Sequence, residues 1–488
     1  MMPGLAPFLA VYTLAVVTPC AAPPYPTEAW KAWLGRKPHR YPRKTWARHA
    51  TPEEAGWSSE KLGKAHDHFR KIGSAAVMVV YDGAVLVQWG DVDRRYMCHS
   101  VRKSFLSALY GIHVAEGHID PNKTMADLGI DDVPPLTEAE KRARVIDLLR
   151  SRSGIYHPAA YETSRMKMRR PKRGSHRPGE YFWYNNWDFN ALCTIFEKET
   201  GTKVFEEFER RFARPLEMED FRLQDTYYHL EKENSIHPAY PFRMSARDMA
   251  RFGLLFLRQG RWRDKQVLSE EWVKVSTASH FREPDTTPNR HYAYGYLWWR
   301  IVDGPFKELG MYSARGYGGH SIDVIPAADL VFVHRVDTYW DLSSHLRRAR
   351  KRVADAQRFE LLDLVLKARI SAPRAKPKTV SLRRVSRHAN VVKLPPKVLK
   401  RYAGEYDFGG FRLRVKAMDD RLLIGTQRMG DFGLLPLSQT RFVIEDIEAP
   451  GAFELDGSGR PSGMTVEFAP GKTSRGRAAA CGSSQETQ

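Results

Sequence analysis

Cysteine is scarce in this chain of 488 residues: there are four, and none stands in a CxxC or other metal-ligand spacing. A cysteine-built metal domain is therefore excluded. Cys98 and Cys193 are flanked by apolar residues and read as buried, inert thiols. Long hydrophobic runs are also missing beyond the first two dozen residues, so no transmembrane segment is expected. No internal repeat and no low-complexity block is present. The formal net charge is +20, yet no zinc-finger, RNP-like or helix-turn-helix pattern accompanies it. Its basic runs, Arg165–Arg173, Arg347–Arg352 and Lys376–Arg387, are scattered and read as a solvated surface, with no nucleic-acid partner expected.

Two hydrolase signatures are absent as well. No Gly-x-Ser-x-Gly elbow occurs, since Gly319-His320-Ser321-Ile322-Asp323 fails at its last position. Neither His-x-His-x-Asp-His nor His-Glu-x-x-His is found, and His66-Asp67-His68 alone is a poor basis for a metal hydrolase. No metal or other cofactor is expected to serve a reaction here.

The N-terminus carries Ala6–Val17, an apolar run of h-region length followed by small residues at Cys20-Ala21-Ala22. It predicts a signal peptide over 1–22 and an exported protein, periplasmic or secreted. Its weakness is an n-region without Lys or Arg. Lipid attachment at Cys20 is disfavoured by Pro19.

The length predicts more than one domain. Ala75–Val80 and Ala84–Trp89 form a hairpin through Asp82-Gly83. Lys103–Glu116 places Phe105, Leu106, Leu109, Ile112 and Ala115 on one face of a buried helix, stopped by Gly117. Ile146–Arg150, Asn190–Glu199, Ala246–Gln259 and Ser343–Ala368 are further helical segments. Tyr294–Ile301 and Leu330–Val336 are expected as buried strands. Strands at both ends with helices between them suggest an α+β fold, an antiparallel sheet carrying an all-helical subdomain. That unit is expected over 23–370, followed by a Pro-rich, basic linker over 371–396. Short alternating runs then predict a small all-β barrel or sandwich over 397–470, and 471–488 reads as a disordered tail.

Ser100-Val101-Arg102-Lys103 is an S-x-x-K tetrapeptide at the start of the apolar helix. Residues three apart share a helical face, so hydroxyl and amine can meet there. A lysine with its pKa lowered by desolvation can take the serine proton. The tetrapeptide recurs at Ser58–Lys61, where a helix N-cap is the simpler reading, and at Ser164–Lys167, in an exposed basic stretch. Tyr184-Asn185-Asn186 offers a phenol that can relay protons and an amide that can hold a substrate carbonyl while bonding the lysine, or else a polar turn. Gly316-Tyr317-Gly318-Gly319-His320 offers close backbone approach and an oxyanion-binding N–H, or else a plain glycine turn.

In this order, S-x-x-K, Y-x-N and a late glycine pair resemble the class C β-lactamase superfamily. That group contains penicillin-binding DD-peptidases, family VIII carboxylesterases and 6-aminohexanoate-dimer hydrolase. Leu148–Tyr156, Ser245–Gly260, Tyr294–Trp299 and Arg315–Gly319 look like its landmarks, over roughly residues 50–370. Tyr402-Ala403-Gly404-Glu405-Tyr406 resembles the opening of the β-domain often appended to it. The resemblance implies that Ser100 is acylated, Lys103 is its base and Tyr184 the proton relay. It also implies that Asn186 orients substrate and that the N–H groups of Ser100 and His320 bind the oxyanion. Tyr317-Gly318-Gly319 stands where the lactamases carry Lys-Thr-Gly, which removes a cation for the substrate carboxylate unless Arg315 or His320 replaces it. The function expected is therefore ester or amide hydrolysis of a small substrate through an acyl-enzyme. The alternatives are a DD-peptidase or β-lactamase, and a non-catalytic binding module on the same scaffold.

Overall fold

The computed structural model describes residues 25–34, 39–282, 291–338, 352–374, 376–382, 388, 390–426, 430–469 and 471–479. The expected signal peptide, with Cys20, and Cys481 lie outside them.

Ten strands make the main sheet: β1 (Ala47–His49), β2 (Ala76–Tyr81), β3 (Ala84–Gly90), β4 (Phe281–Arg282), β5 (Tyr292–Tyr294), β6 (Trp299–Ile301), β7 (Tyr312–Gly316), β8 (His320–Ile325), β9 (Leu330–Arg335) and β10 (Thr379–Ser381). Their order is β10-β1-β3-β2-β9-β8-β7-β6-β5-β4. Every pairing is antiparallel except that of β1 with β3. The β2–β3 turn carries Asp82 at φ 49° and Gly83 at φ 68°, the twist-matched hairpin geometry for which Asp-Gly is suited.

Alternation along β2 divides the interior into two cores. Ala76, Met78 and Val80 face a helical layer that includes α2 (Arg102–Ala115), α4 (Asn186–Thr200) and α6 (Ala246–Leu257). Val77, Val79 and Tyr81 face α1 (Ser59–Lys71) and α7 (Asp355–Lys367). Two smaller helices, α3 (Val145–Leu149) and α5 (Val204–Phe208), belong to the helical layer. Ser58 caps α1, its Oγ accepting the Lys61 N–H at 3.3 Å.

Eight consecutive antiparallel strands then close a barrel, β11 (Gly404–Asp407) through β18 (Lys472–Ala478), with β11 paired to β18. The barrel leans on the helical layer through charge. Arg95 reaches Asp225 at 3.2 Å, Glu445 at 2.7 Å and Asp446 at 2.9 Å. Beside it the Arg243 guanidinium covers the Phe432 ring at 3.7 Å.

Four expectations need correction. Tyr294–Ile301 is two paired strands, β5 and β6. Gly295 breaks the run, because a Cβ there would stand 2.1 Å from the Ser276 carbonyl oxygen. The expected helix over Ser343–Ala368 begins at Asp355; residues 343–351 lie outside the described set. Residues 379–381, expected in the linker, form β10, whose three residues are all exposed and so give no apolar signal. Residues 472–478, expected in the disordered tail, form β18. Its one buried residue is Gly476, where the Phe408 ring fills the space a side chain would take.

Candidate active site

Ser100 sits in a 3-10 turn, His99–Val101, that leads directly into α2. His99 holds φ 48°, a left-handed conformation uncommon outside glycine, so the chain turns sharply just before the serine. Ser100 is half-buried, whereas Lys103 is 1 % exposed. The Lys103 Nζ lies 2.9 Å from Ser100 Oγ, 2.7 Å from Tyr184 OH and 3.0 Å from Asn186 Oδ1. None of these three partners carries a formal charge. Burial, with the Arg102 charge second, holds the Lys103 pKa well below its ordinary 10.5. The Tyr184 and Phe189 rings lie 4.3 and 4.1 Å from Nζ and favour the cation, but against full desolvation that attraction is the smaller effect.

Tyr184 precedes α4, which Asn185 caps by accepting the Trp187 N–H at 3.1 Å. Its ring is packed by Phe189, Trp299 and Tyr294, the last two from the β5–β6 hairpin. Burial pushes the phenol up to about 12, moderated by its hydrogen bond with Ser100 and by Arg102 and Arg315. Asn186 stands on the first turn of α4. Its Nδ2 donates to the Tyr161 carbonyl at 2.8 Å while its Oδ1 faces Lys103. Both ends of this amide thus meet the protein, and its Oδ1 holds the lysine.

The third expected element is placed differently from the first two. Tyr317–Gly319 is the turn between β7 and β8, and His320 opens β8. Gly318 and Gly319 have φ 86° and 103°. Their close contact is with the chain itself: Gly318 accepts the Val353 N–H at 3.0 Å, and a Cβ on Gly319 would meet the Val353 carbonyl at 2.7 Å. Gly316, at the end of β7, is the glycine that adjoins the serine turn. A Cβ there would stand 2.5 Å from the Cys98 carbonyl oxygen.

His320 is fully buried, and desolvation followed by the Arg335 charge holds its pKa well below 6.5. Its Nε2 lies 3.3 Å from Thr338 Oγ1, which His99 also contacts at 2.7 Å. The ring therefore belongs to a His99–Thr338 cluster beside the site. Arg315 pairs with Asp355 and covers the Tyr292 ring at 3.9 Å. His66 and His68 of α1 do not converge: one stacks on Phe69, and the other bonds the Gln357 carbonyl at 3.1 Å.

Phe189, Thr338 and Arg352 were not singled out from sequence. Phe189 follows Asn186 by three positions on α4, a spacing that would have placed it on the same face. Arg352, 4.7 Å from the Tyr317 ring centroid, ends the basic run Arg347–Arg352 that reads as solvated surface, and nothing local ties it to Tyr317.

A helical layer set against a mostly antiparallel sheet, with a serine in the turn that opens the central helix and a buried lysine on that helix's first turn, defines a scaffold of the serine-hydrolase class. The chain belongs to the beta-lactamase family, whose model matches residues 62–339, more than half of the sequence. A hydrolase is the class of activity that membership supports. The chain is 26 % identical over 103 residues to an uncharacterized protein of Alkalihalophilus pseudofirmus, a match spanning 20 % of this chain and 30 % of that relative. Among solved structures it is similar to a protein of Bacillus anthracis assigned as a 6-aminohexanoate-dimer hydrolase (19 % identity, 65 % of this chain and 88 % of that one, TM-score 0.47). It is also similar to an octameric penicillin-binding protein homologue from Pyrococcus abyssi (15 %, 86 % and 99 %, 0.43). A penicillin-binding protein homologue from Caulobacter crescentus is a further likeness (13 %, 64 % and 99 %, 0.47). Among the described residues, no helix is long and apolar enough to cross a membrane.

Proposed function

We propose that this chain is a serine hydrolase of the carboxylesterase or amidase type, acting on a small ester or amide through an acyl-enzyme on Ser100. The observation that carries the proposal is the position of Lys103: fully buried, with no charged partner among its three contacts and Ser100 Oγ at 2.9 Å. Burial holds the pKa of a lysine so placed well below its ordinary 10.5, which favours the neutral amine with a lone pair for the serine proton.

As the Ser100 Oγ–H proton moves to Lys103 Nζ, Oγ bonds to the substrate carbonyl carbon. The carbonyl oxygen takes up the negative charge of the tetrahedral intermediate. The Ser100 N–H, close to the helix N-terminus, and a second N–H from the 316–320 segment stabilise that oxygen. The His320 amide expected from sequence lies in this segment. The proton then passes from Lys103 through Tyr184 to the leaving alcohol or amine as the C–O or C–N bond breaks. Water enters along the same relay and attacks the acyl carbon as it gives its proton to Lys103; the C–Oγ bond then breaks, the acid leaves, and the Lys103 proton returns to Ser100 Oγ. Asn186 keeps the amine aimed at Oγ throughout.

A second reading, a DD-peptidase or β-lactamase, is favoured by one observation. Arg352 brings a guanidinium to Tyr317, near where the lactamases use the lysine of Lys-Thr-Gly to hold a carboxylate. Export to the periplasm or beyond remains part of the proposal, resting on the N-terminal sequence.

The test is labelling with a fluorophosphonate, followed by turnover of short p-nitrophenyl esters beside a cephalosporin. Labelling of the intact chain but not of Ser100→Ala is expected, with ester turnover the faster. An unlabelled wild-type chain would overturn the enzymatic reading; cephalosporin hydrolysis without ester turnover would select the second one.

A further inference from the structure

The far end of the serine helix carries a group of side chains that the proposed reaction does not use. His113 lies in the last turn of α2, Glu116 caps it, and Gly117 at φ 76° folds the chain back. The His118 N–H then bonds the His113 carbonyl at 2.9 Å, which brings the two imidazoles to 5.2 Å between centroids. Their Nδ1 atoms are 3.0 Å apart. Glu116 Oε2 stands 3.4 Å from the His118 Nδ1 and 4.0 Å from the His113 Nδ1.

The proton on His113 is placed by Glu207, whose carboxylate lies 2.8 Å from Nε2. Glu207 is itself 2 % exposed and paired with Arg210 and Arg211. An anion fixed there takes the Nε2–H, so the neutral ring turns its Nδ1 lone pair toward His118 and Glu116. The Phe196 ring, edge-on at 5.1 Å, keeps the imidazole in that orientation. Arg211 bonds Glu116 Oε2 at 2.6 Å and so fixes this carboxylate beside the rings.

We propose that His113, Glu116 and His118 form a divalent transition-metal site of the zinc class. Three donors on a tetrahedral ion with bonds of 2.0–2.1 Å are separated by about 3.4 Å, and the three separations here bracket that spacing. Two imidazoles and a carboxylate suit zinc in preference to magnesium or calcium, which select oxygen-only sets. Glu207 supplies the carboxylate behind a ligating histidine that orients it and raises its basicity. Glu116 and His118 are 34 % and 54 % exposed, which leaves the ion a way in and a fourth position for water. Ten residues of helix, roughly 15 Å, separate His113 from Lys103, so the ion has no part in bond cleavage. It would tie the end of the serine helix to the turn at Gly117 and, through Glu207, to α5.

The experiment uses the full chain stripped of metal, titrated with Zn²⁺ against a chromophoric chelator, with thermal melting followed in parallel. One equivalent of Zn²⁺ should bind and raise Tm, while Mg²⁺ at the same concentration should not. His118→Ala removes a half-exposed ring and should abolish both effects with fluorophosphonate labelling intact. Glu207→Gln keeps an acceptor for His113 and should weaken binding about 10–100-fold. Binding unchanged in His118→Ala, or no metal-dependent rise in Tm in the wild-type chain, would overturn the site.

Discussion

Replacing Lys103 with methionine separates the chemistry of this site from its cost in stability. The substitution keeps an unbranched side chain, one atom shorter, and removes a buried amine whose pKa lies well below 10.5 in the folded state. Between that depressed value and 10.5, the unfolded chain binds a proton that the folded chain does not. Wild-type stability therefore falls as pH falls, by about 1.4 kcal/mol per pH unit over the interval, and levels off once both states are protonated. Lys103→Met loses this dependence. The absolute offset at one pH is less informative, because Tyr184 OH and Asn186 Oδ1 each lose a partner at about 1–3 kcal/mol apiece. Labelling of Ser100 should slow by about 10²–10⁴-fold, the usual contribution of a general base. The assay is urea unfolding of both proteins from pH 6 to 10, beside the rate of fluorophosphonate labelling. The wild-type chain should also label faster as pH rises through the lysine pKa. No fall is expected from Tyr184, which titrates near 12. A stability difference that is flat with pH, or undiminished labelling of the variant, would refute the assignment of Lys103 as a neutral base.

Three further outcomes follow from particular contacts. Gly316→Ala places a methyl 2.5 Å from the Cys98 carbonyl and must push β7 away from the serine turn; labelling should drop about tenfold or more while circular dichroism is retained, a displacement effect of the kind known for misplaced reacting groups. Arg352→Ala, at an exposed position beside Tyr317, should raise KM for substrates bearing a carboxylate and leave neutral esters unaffected. Equal loss on both substrate types would remove Arg352 from recognition. Arg95→Ala removes one of two cations shared by Asp225, Glu445 and Asp446, since Arg222 also meets Asp225 and Glu445 at 2.9 Å; the expected cost is below the roughly 3–5 kcal/mol of a buried charge left unpaired, read as a lower midpoint in urea for the barrel and the helical layer.

The parts of the molecule legible in the sequence are those whose signal is local. The β2–β3 hairpin announced itself by two β-branched runs around Asp-Gly, and α2 by its apolar period and the glycine after it. The serine–lysine pair was legible because three residues of helix bring the two side chains together without help from elsewhere. Tyr184 needed the family pattern, since its ring is set by Trp299 and Tyr294, which arrive from a hairpin more than a hundred residues later. Signals failed where the deciding partner was remote or the strand had nothing to bury. β10 is wholly exposed, and β18 turns inward a glycine that borrows the Phe408 ring as its side chain. The third motif shows the same limit at the site itself. A glycine pair is visible in any sequence, but the chain it admits is not; Gly319 makes room for Val353, whose N–H bonds the Gly318 carbonyl, and the unpaired Gly316 admits the serine turn. Of three glycines in four positions, the one nearest the chemistry is the one whose neighbour, Cys98, is more than two hundred residues upstream. Its role follows from packing of two backbones and from no property of the motif.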